Sequence, residues 1–136
     1  MTRYLLGVSF EGGVVSTAMV EWKPEEITAH LDYYKTLNEE LVARGELVES
    51  HVLTGPDLAK IVRFDGKRAP VVTDGPFPEF KEWLAGFQIV DVESEARAIE
   101  IAAQLSAVPG PGGAPTQQPI HLRQVMDESP KDAAEM

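Results

Sequence analysis

A chain of 136 residues, 43% hydrophobic and 25% charged, is long enough for one domain with a real core and has the composition of an ordinary soluble globular protein. Its 22 acidic residues outnumber its 12 basic ones, for a net charge of −10. That argues against nucleic acid and against docking on an anionic membrane, both of which need clustered Lys and Arg, while one or two local cations would still hold a small acid. With no cysteine, disulfides, thiolate nucleophiles and Cys-ligated metals are excluded. The apolar run in MTRYLLGVSFEGG is too short for a signal peptide, and no segment approaches the roughly 20 apolar residues of a membrane span, so a cytoplasmic protein is expected.

In chain order, Tyr4 to Phe10 predicts a first strand, stopped by Gly12-Gly13. Residues 11–23 are expected to be a loop. Pro24-Glu25-Glu26 opens a helix, since proline suits the first turn and acids there complement the helix dipole. Ile27, Leu31, Tyr34, Leu37, Leu41 and Val42 recur at helical spacing, and Arg44-Gly45 closes the helix. Glu46 to Leu53 predicts a second strand, stopped by Gly55-Pro56. Ala59 to Phe64 and Ala69 to Thr73 flank Asp65-Gly66, a hairpin turn signal.

Residues 78–84 are expected to form one or two helical turns, and Gly86 to Val92 another strand. Glu93 to Leu105 predicts a second long helix with Ala96, Ile99, Ala102, Ala103 and Leu105 inward. VPGPGGAPTQQP, from Val108 to Pro119, predicts a flexible loop rather than a phosphate cradle, because no helix start follows it. Ile120 to Met126 is a last strand. Residues 1–127 are expected to form a single domain, and residues 128–136 a flexible tail.

The order β-α-β, hairpin, β-α-β predicts an α+β protein, a ferredoxin-like sandwich (βαββαβ with a hairpin insertion) with both helices on one face of an antiparallel sheet. The other sheet face would be left open, and an open apolar face is commonly covered by a second copy. A homodimer with sheet facing sheet is the expected assembly.

The stretch Thr73-Asp74-Gly75-Pro76-Phe77, followed by Glu79, Lys81-Glu82, Leu84 and Gly86-Phe87, resembles the signature of the YCII-related family in its DGPF branch. Weaker similarity runs from Leu5-Leu6 through Pro24-Glu25-Glu26 and Leu41 to Gly45, as far as His121-Leu122-Arg123-Gln124-Val125. The resemblance implies a dimeric α+β barrel. It also implies a thin functional record: some relatives are enzyme candidates with a His–Asp pair in a cleft, one branch includes a dehydrochlorinase-type lyase, and others are linked to extracytoplasmic-type sigma factors. Their helix-borne histidine would fall near Tyr33, with His30 about one turn earlier. Only the acid half of the pair, Asp74, is kept in place.

Several residues are candidates for chemistry. Asp74 suits a general base, or an acid that orients a histidine, although Asp before Gly-Pro is also a good turn residue. His30 is expected on a helix surface. His51 and His121 sit on strands whose alternation gives each a mixed polar face, Leu47-Glu49-His51-Leu53 and His121-Arg123-Val125. Arg123 would clamp a carboxylate or enolate oxygen with its planar fork, or else form a structural ion pair with Glu49 or a similar acid.

The expected catalytic set is therefore Asp74, His51 and Arg123, with His121, Tyr33 and Phe77 as ligand-binding residues and a small organic molecule as ligand. No histidine has metal-ligand spacing to another, and P-loop, GxGxxG, GxSxG and HExxH patterns are absent, so neither metal nor cofactor is expected. Two functions fit: a cofactor-independent acid–base cleft of isomerase or lyase type, or a non-catalytic ligand-binding or regulatory dimerisation module, such as one linked to a sigma factor.

Overall fold

A continuous apolar run in the first strand, Tyr4 to Val8, and an alternating burial pattern in the fifth set the centre of the fold. The structure is a computed structural model and describes residues 1–9, 19–75 and 84–126. β1 (Thr2–Ser9) lies between β5 (Leu84–Val92) and β6 (Ile120–Gln124), and β2 (Leu47–Val52) pairs with the far edge of β5. All three pairings are antiparallel, giving the sheet order β2-β5-β1-β6. β3 (Lys60–Phe64) and β4 (Pro70–Asp74) form a separate two-stranded hairpin. With α1 (Pro24–Ala43) and α2 (Glu95–Ser106), the described residues make an α+β protein with two helices and antiparallel sheets.

Both helices cover one face of the four-stranded sheet. Tyr4, Leu6, Val90 and Val92 point into it and meet Leu37 and Leu41 of α1 and Ala98, Ile101 and Leu105 of α2. Several of these side chains are completely buried; each is worth about 1.5–3 kcal/mol relative to exposure. The buried stripe of α1 runs 30, 37, 41, with Ile27 before it and Tyr34 within it half-buried, while Leu31 and Val42 are exposed. The expected surface position of His30 is thus corrected: it is on the core stripe, and the 27-30-34-37-41 spacing already carried that signal.

α2 is turned as well. Ala98, Ile101 and Leu105 are its buried residues, whereas Ala96, Ile99 and Ala103 face outward. The helix begins two residues later than Glu93, because Ser94 caps it: its Oγ accepts from the Arg97 N–H at 3.2 Å. The end of α1 follows expectation. Gly45 has φ +70°, its N–H reaches the Val42 carbonyl and the Glu46 N–H reaches that of Leu41, a Schellman closure.

The Val108–Pro119 segment is held firmly, correcting the expectation of a flexible loop. The Gly112 N–H donates to Glu26 Oε2 at 2.6 Å, His30 Nδ1 meets the Pro109 carbonyl at 2.8 Å, Ser106 Oγ donates to the Gln118 carbonyl, and Gln118 Nε2 donates to that of Ser9. Val108 and Thr116 are buried within it. These bonds fix where β6 enters the sheet. Of the helical turns expected at 78–84, residues 78–83 lie outside the described residues and Leu84 instead opens β5; the tail at 128–136 and Phe10 also lie outside them.

Candidate functional site

Residues directly opposite one another in antiparallel strands share a sheet face. His51 is opposite Phe87, Phe87 opposite Gly7, and Gly7 opposite His121. One row across all four strands therefore reads His51–Phe87–Gly7–His121, on the face away from the helices. The next row reads Glu49–Ile89–Leu5–Arg123, and beyond it Arg3 faces Asp91. The centre of this surface is apolar and half-buried; its two edges carry exposed histidines, a carboxylate and a guanidinium.

A bulge builds one edge. Between Leu47 and Glu49 the register of β2 slips by one residue against β5, so Leu47 turns to the core while Glu49 and His51 turn outward. Strict alternation would have put Leu47 with His51, and that expectation is corrected. Below this edge, Gln88 Nε2 donates to Asn38 Oδ1 at 2.6 Å and to Ser50 Oγ at 3.3 Å, tying β5 to α1 and β2 inside the protein. Gly86 holds the strands close: a Cβ there would lie 2.7 Å from the His51 carbonyl oxygen, a backbone atom that cannot swing aside.

His51 has two side-chain neighbours on its own edge. Its Nε2 is 3.3 Å from Glu49 Oε2, and its ring lies against Phe87 with centroids 5.3 Å apart. A carboxylate at this distance orients the ring, an arrangement that acid–base chemistry uses. Glu49 was not among the expected site residues; its signal was the i, i+2 spacing to His51 on an edge strand. The alternative ion pair between Glu49 and Arg123 is ruled out by topology, since they stand on opposite edge strands, β2 and β6.

The structure thus brings His51, His121 and Arg123 to one face. Asp74 is not on it. It ends β4 in the hairpin, where its carboxylate meets Lys60 Nζ across the two strands, both side chains being well exposed. Tyr33 lies with the helices behind the sheet: its hydroxyl donates to the Gln104 carbonyl at 2.7 Å and, with burial first and Glu40 second, its pKa is raised. Phe77 lies outside the described residues, and among those described no group of three metal-ligating side chains gathers.

Three further clusters are structural. His30 sits between the rings of Trp22 and Tyr34, with centroids 5.3 and 5.2 Å away, each edge-on. Glu46 accepts three hydrogen bonds from Arg97, two from Nε and one from Nη2, at 2.9 to 3.3 Å, and these bonds hold its carboxyl below the ordinary range. Both carboxylate oxygens of Glu26 are taken by backbone N–H groups, first that of Gly112 and then that of Lys23, which lowers its pKa too.

No helix of the described residues is long and apolar enough to cross a membrane. No curated protein matches the chain. The sequence profile of the YCII-related domain matches residues 16–114, a span that contains α1, both edges of the hairpin, β5 with Phe87, and α2. With that match over most of its length, the chain belongs to the YCII-related domain family.

Proposed function

We propose that this chain works in the cytoplasm as a homodimer that binds a small organic molecule on its open sheet face, with His51 exchanging a proton with the ligand and Arg123 holding its negative charge. The observation that carries the reading is the row His51–Phe87–Gly7–His121, an apolar floor with a titratable group at each end. The strand order β2-β5-β1-β6, with both helices on the opposite face, supports a ferredoxin-like sandwich with the β3–β4 hairpin as an insertion in the DGPF manner. Two such sheets, floor to floor, would close a dimeric α+β barrel and enclose the rows.

In this reading Glu49 orients the His51 ring, His121 faces it across the floor, and no cofactor is required for an isomerase- or lyase-type proton transfer. Asp74, paired with Lys60, braces the hairpin. That pairing also favours a second reading, a non-catalytic ligand-binding or regulatory module of the kind linked to sigma factors, in which the same floor binds but moves no proton.

Proton NMR separates the two. Small carboxylates and phenols with an apolar body are titrated against the His51 and His121 ring signals, and 2-oxo acids are then incubated with the protein in D2O. Ligand-dependent shifts of both rings, with the affinity read from the His121 ring falling about tenfold in His51→Ala and deuterium entering C3, the carbon beside the ketone, at a His51-dependent rate, support the acid–base reading. Shifts without deuterium entry support the binding module. Ring signals that ignore every ligand overturn both.

A further inference from the structure

The β3–β4 hairpin has an apolar face of its own. Its register sets Val62 opposite Val72 and Phe64 opposite Pro70, with the Lys60–Asp74 pair at the base, so all six side chains share one side. Val62 is 58% exposed, Phe64 66% and Val72 52%. Among the described residues, every hydrogen bond of residues 60–74 stays within the hairpin or at its base, where the Gly75 N–H meets the Ala59 carbonyl. A lone two-stranded hairpin is only marginally stable in water.

Its charge is also unlike the rest. Residues 60–74 hold Lys60, Arg63, Lys67 and Arg68 against Asp65 and Asp74, a net of +2; the other residues of a chain at −10 therefore carry −12. A basic arm and an acidic body attract each other between molecules, whereas that body would repel a phosphate backbone or an anionic bilayer.

We infer that the β3–β4 hairpin is a docking arm, its Val62–Phe64–Val72 face packing on the acidic body of a second copy of this chain. The arm is separate from the four-stranded sheet, so the inference stands or falls independently of pairing through the open face.

The test is amide hydrogen exchange on the full chain at ~1 µM and ~100 µM, which reads local opening peptide by peptide. Exchange across residues 60–74 should slow at least several-fold at the higher concentration, and the difference should shrink in high salt. The pair Val62→Thr/Phe64→Ser should abolish the concentration dependence. Arg63→Glu/Lys67→Glu, which keeps the apolar strand residues, should weaken it at low salt, separating lost docking from a hairpin that fails to form.

Equal protection at both concentrations would mean that the arm packs on its own chain and would overturn the inference. So would fast exchange at both, or a concentration dependence that neither variant changes. Peptides from β5 report pairing through the open face in the same samples.

Discussion

The four-stranded sheet and the β3–β4 hairpin are built from similar residues and have opposite fates. Val90 and Val92 in β5 are completely buried against two helices, while Val62 and Val72 in the hairpin stand in solvent. Strand-forming residues make a strand in either place; burial against a second layer makes one of them a core. The sheet should therefore open only with the whole domain, and the hairpin locally at far lower cost.

The largest effect should come from breaking the layered side of that contrast. Leu41→Ala or Ile101→Ala removes a buried side chain from the contact between helix and sheet and should cost about 2–5 kcal/mol in urea denaturation, with hairpin exchange at low concentration unchanged. If hairpin exchange rose in step with global unfolding, the two regions would be one cooperative unit and the contrast would fail.

Next is Arg97→Ala, which strips the partner from a buried Glu46 carboxylate and should cost about 2–3 kcal/mol at neutral pH. The pH dependence has a definite sign. Glu46 is held below its ordinary value near 4.5 by the Arg97 hydrogen bonds, so its contribution is present above that pH and is lost as pH falls through the lowered native value. The variant should lose part of the wild-type fall in stability below about pH 4.5. An unchanged acid limb in stability-versus-pH curves would remove Glu46 from the account.

His30→Ala is expected to be smaller, about 1–2 kcal/mol, because one bond to the Pro109 carbonyl and two edge-on ring contacts are lost. Its sharper signature is local: faster exchange across 108–119 and altered signals from His121 and Arg123, which that segment leads into.

Elements were more legible in the sequence than faces. Proline and acids at the start of α1, Gly45 at its end and Asp65-Gly66 in the hairpin mark boundaries by local rules, and those rules hold wherever the chain packs. Which side of an element faces inward depends on what covers it. α2 carries two apolar stripes, Ala96-Ile99-Ala103 and Ala98-Ile101-Leu105, and composition favours neither; contact with the sheet selects the second. In β2 a single bulge at Val48 reverses the parity, which no alternation pattern foresees.

The site followed the same division. That His51, His121 and Arg123 lie on strands with polar faces could be read locally. That they meet on one face needed the register of three strand pairings. The 27-30-34-37-41 spacing places His30 on the core stripe; its polar residue type pointed the other way, and its ring packs between Trp22 and Tyr34.

The smallest expected effect falls on Asp74, where sequence similarity and geometry point in different directions. Its carboxylate makes an exposed cross-strand pair with Lys60, and such pairs contribute a few tenths of a kcal/mol, less in salt. Asp74→Asn should leave global stability and the ligand response of the His51 ring unchanged while raising local exchange at the base of the hairpin. A catalytic Asp74 would behave otherwise, since replacing an acid that orients or deprotonates costs orders of magnitude in rate without touching stability. Deuterium entry measured in Asp74→Asn beside His51→Ala distinguishes these directly. Loss only in the histidine variant keeps the chemistry on the sheet, with Glu49 as its carboxylate; equal loss in both would require the hairpin to close over the sheet face and would join the two regions into one site.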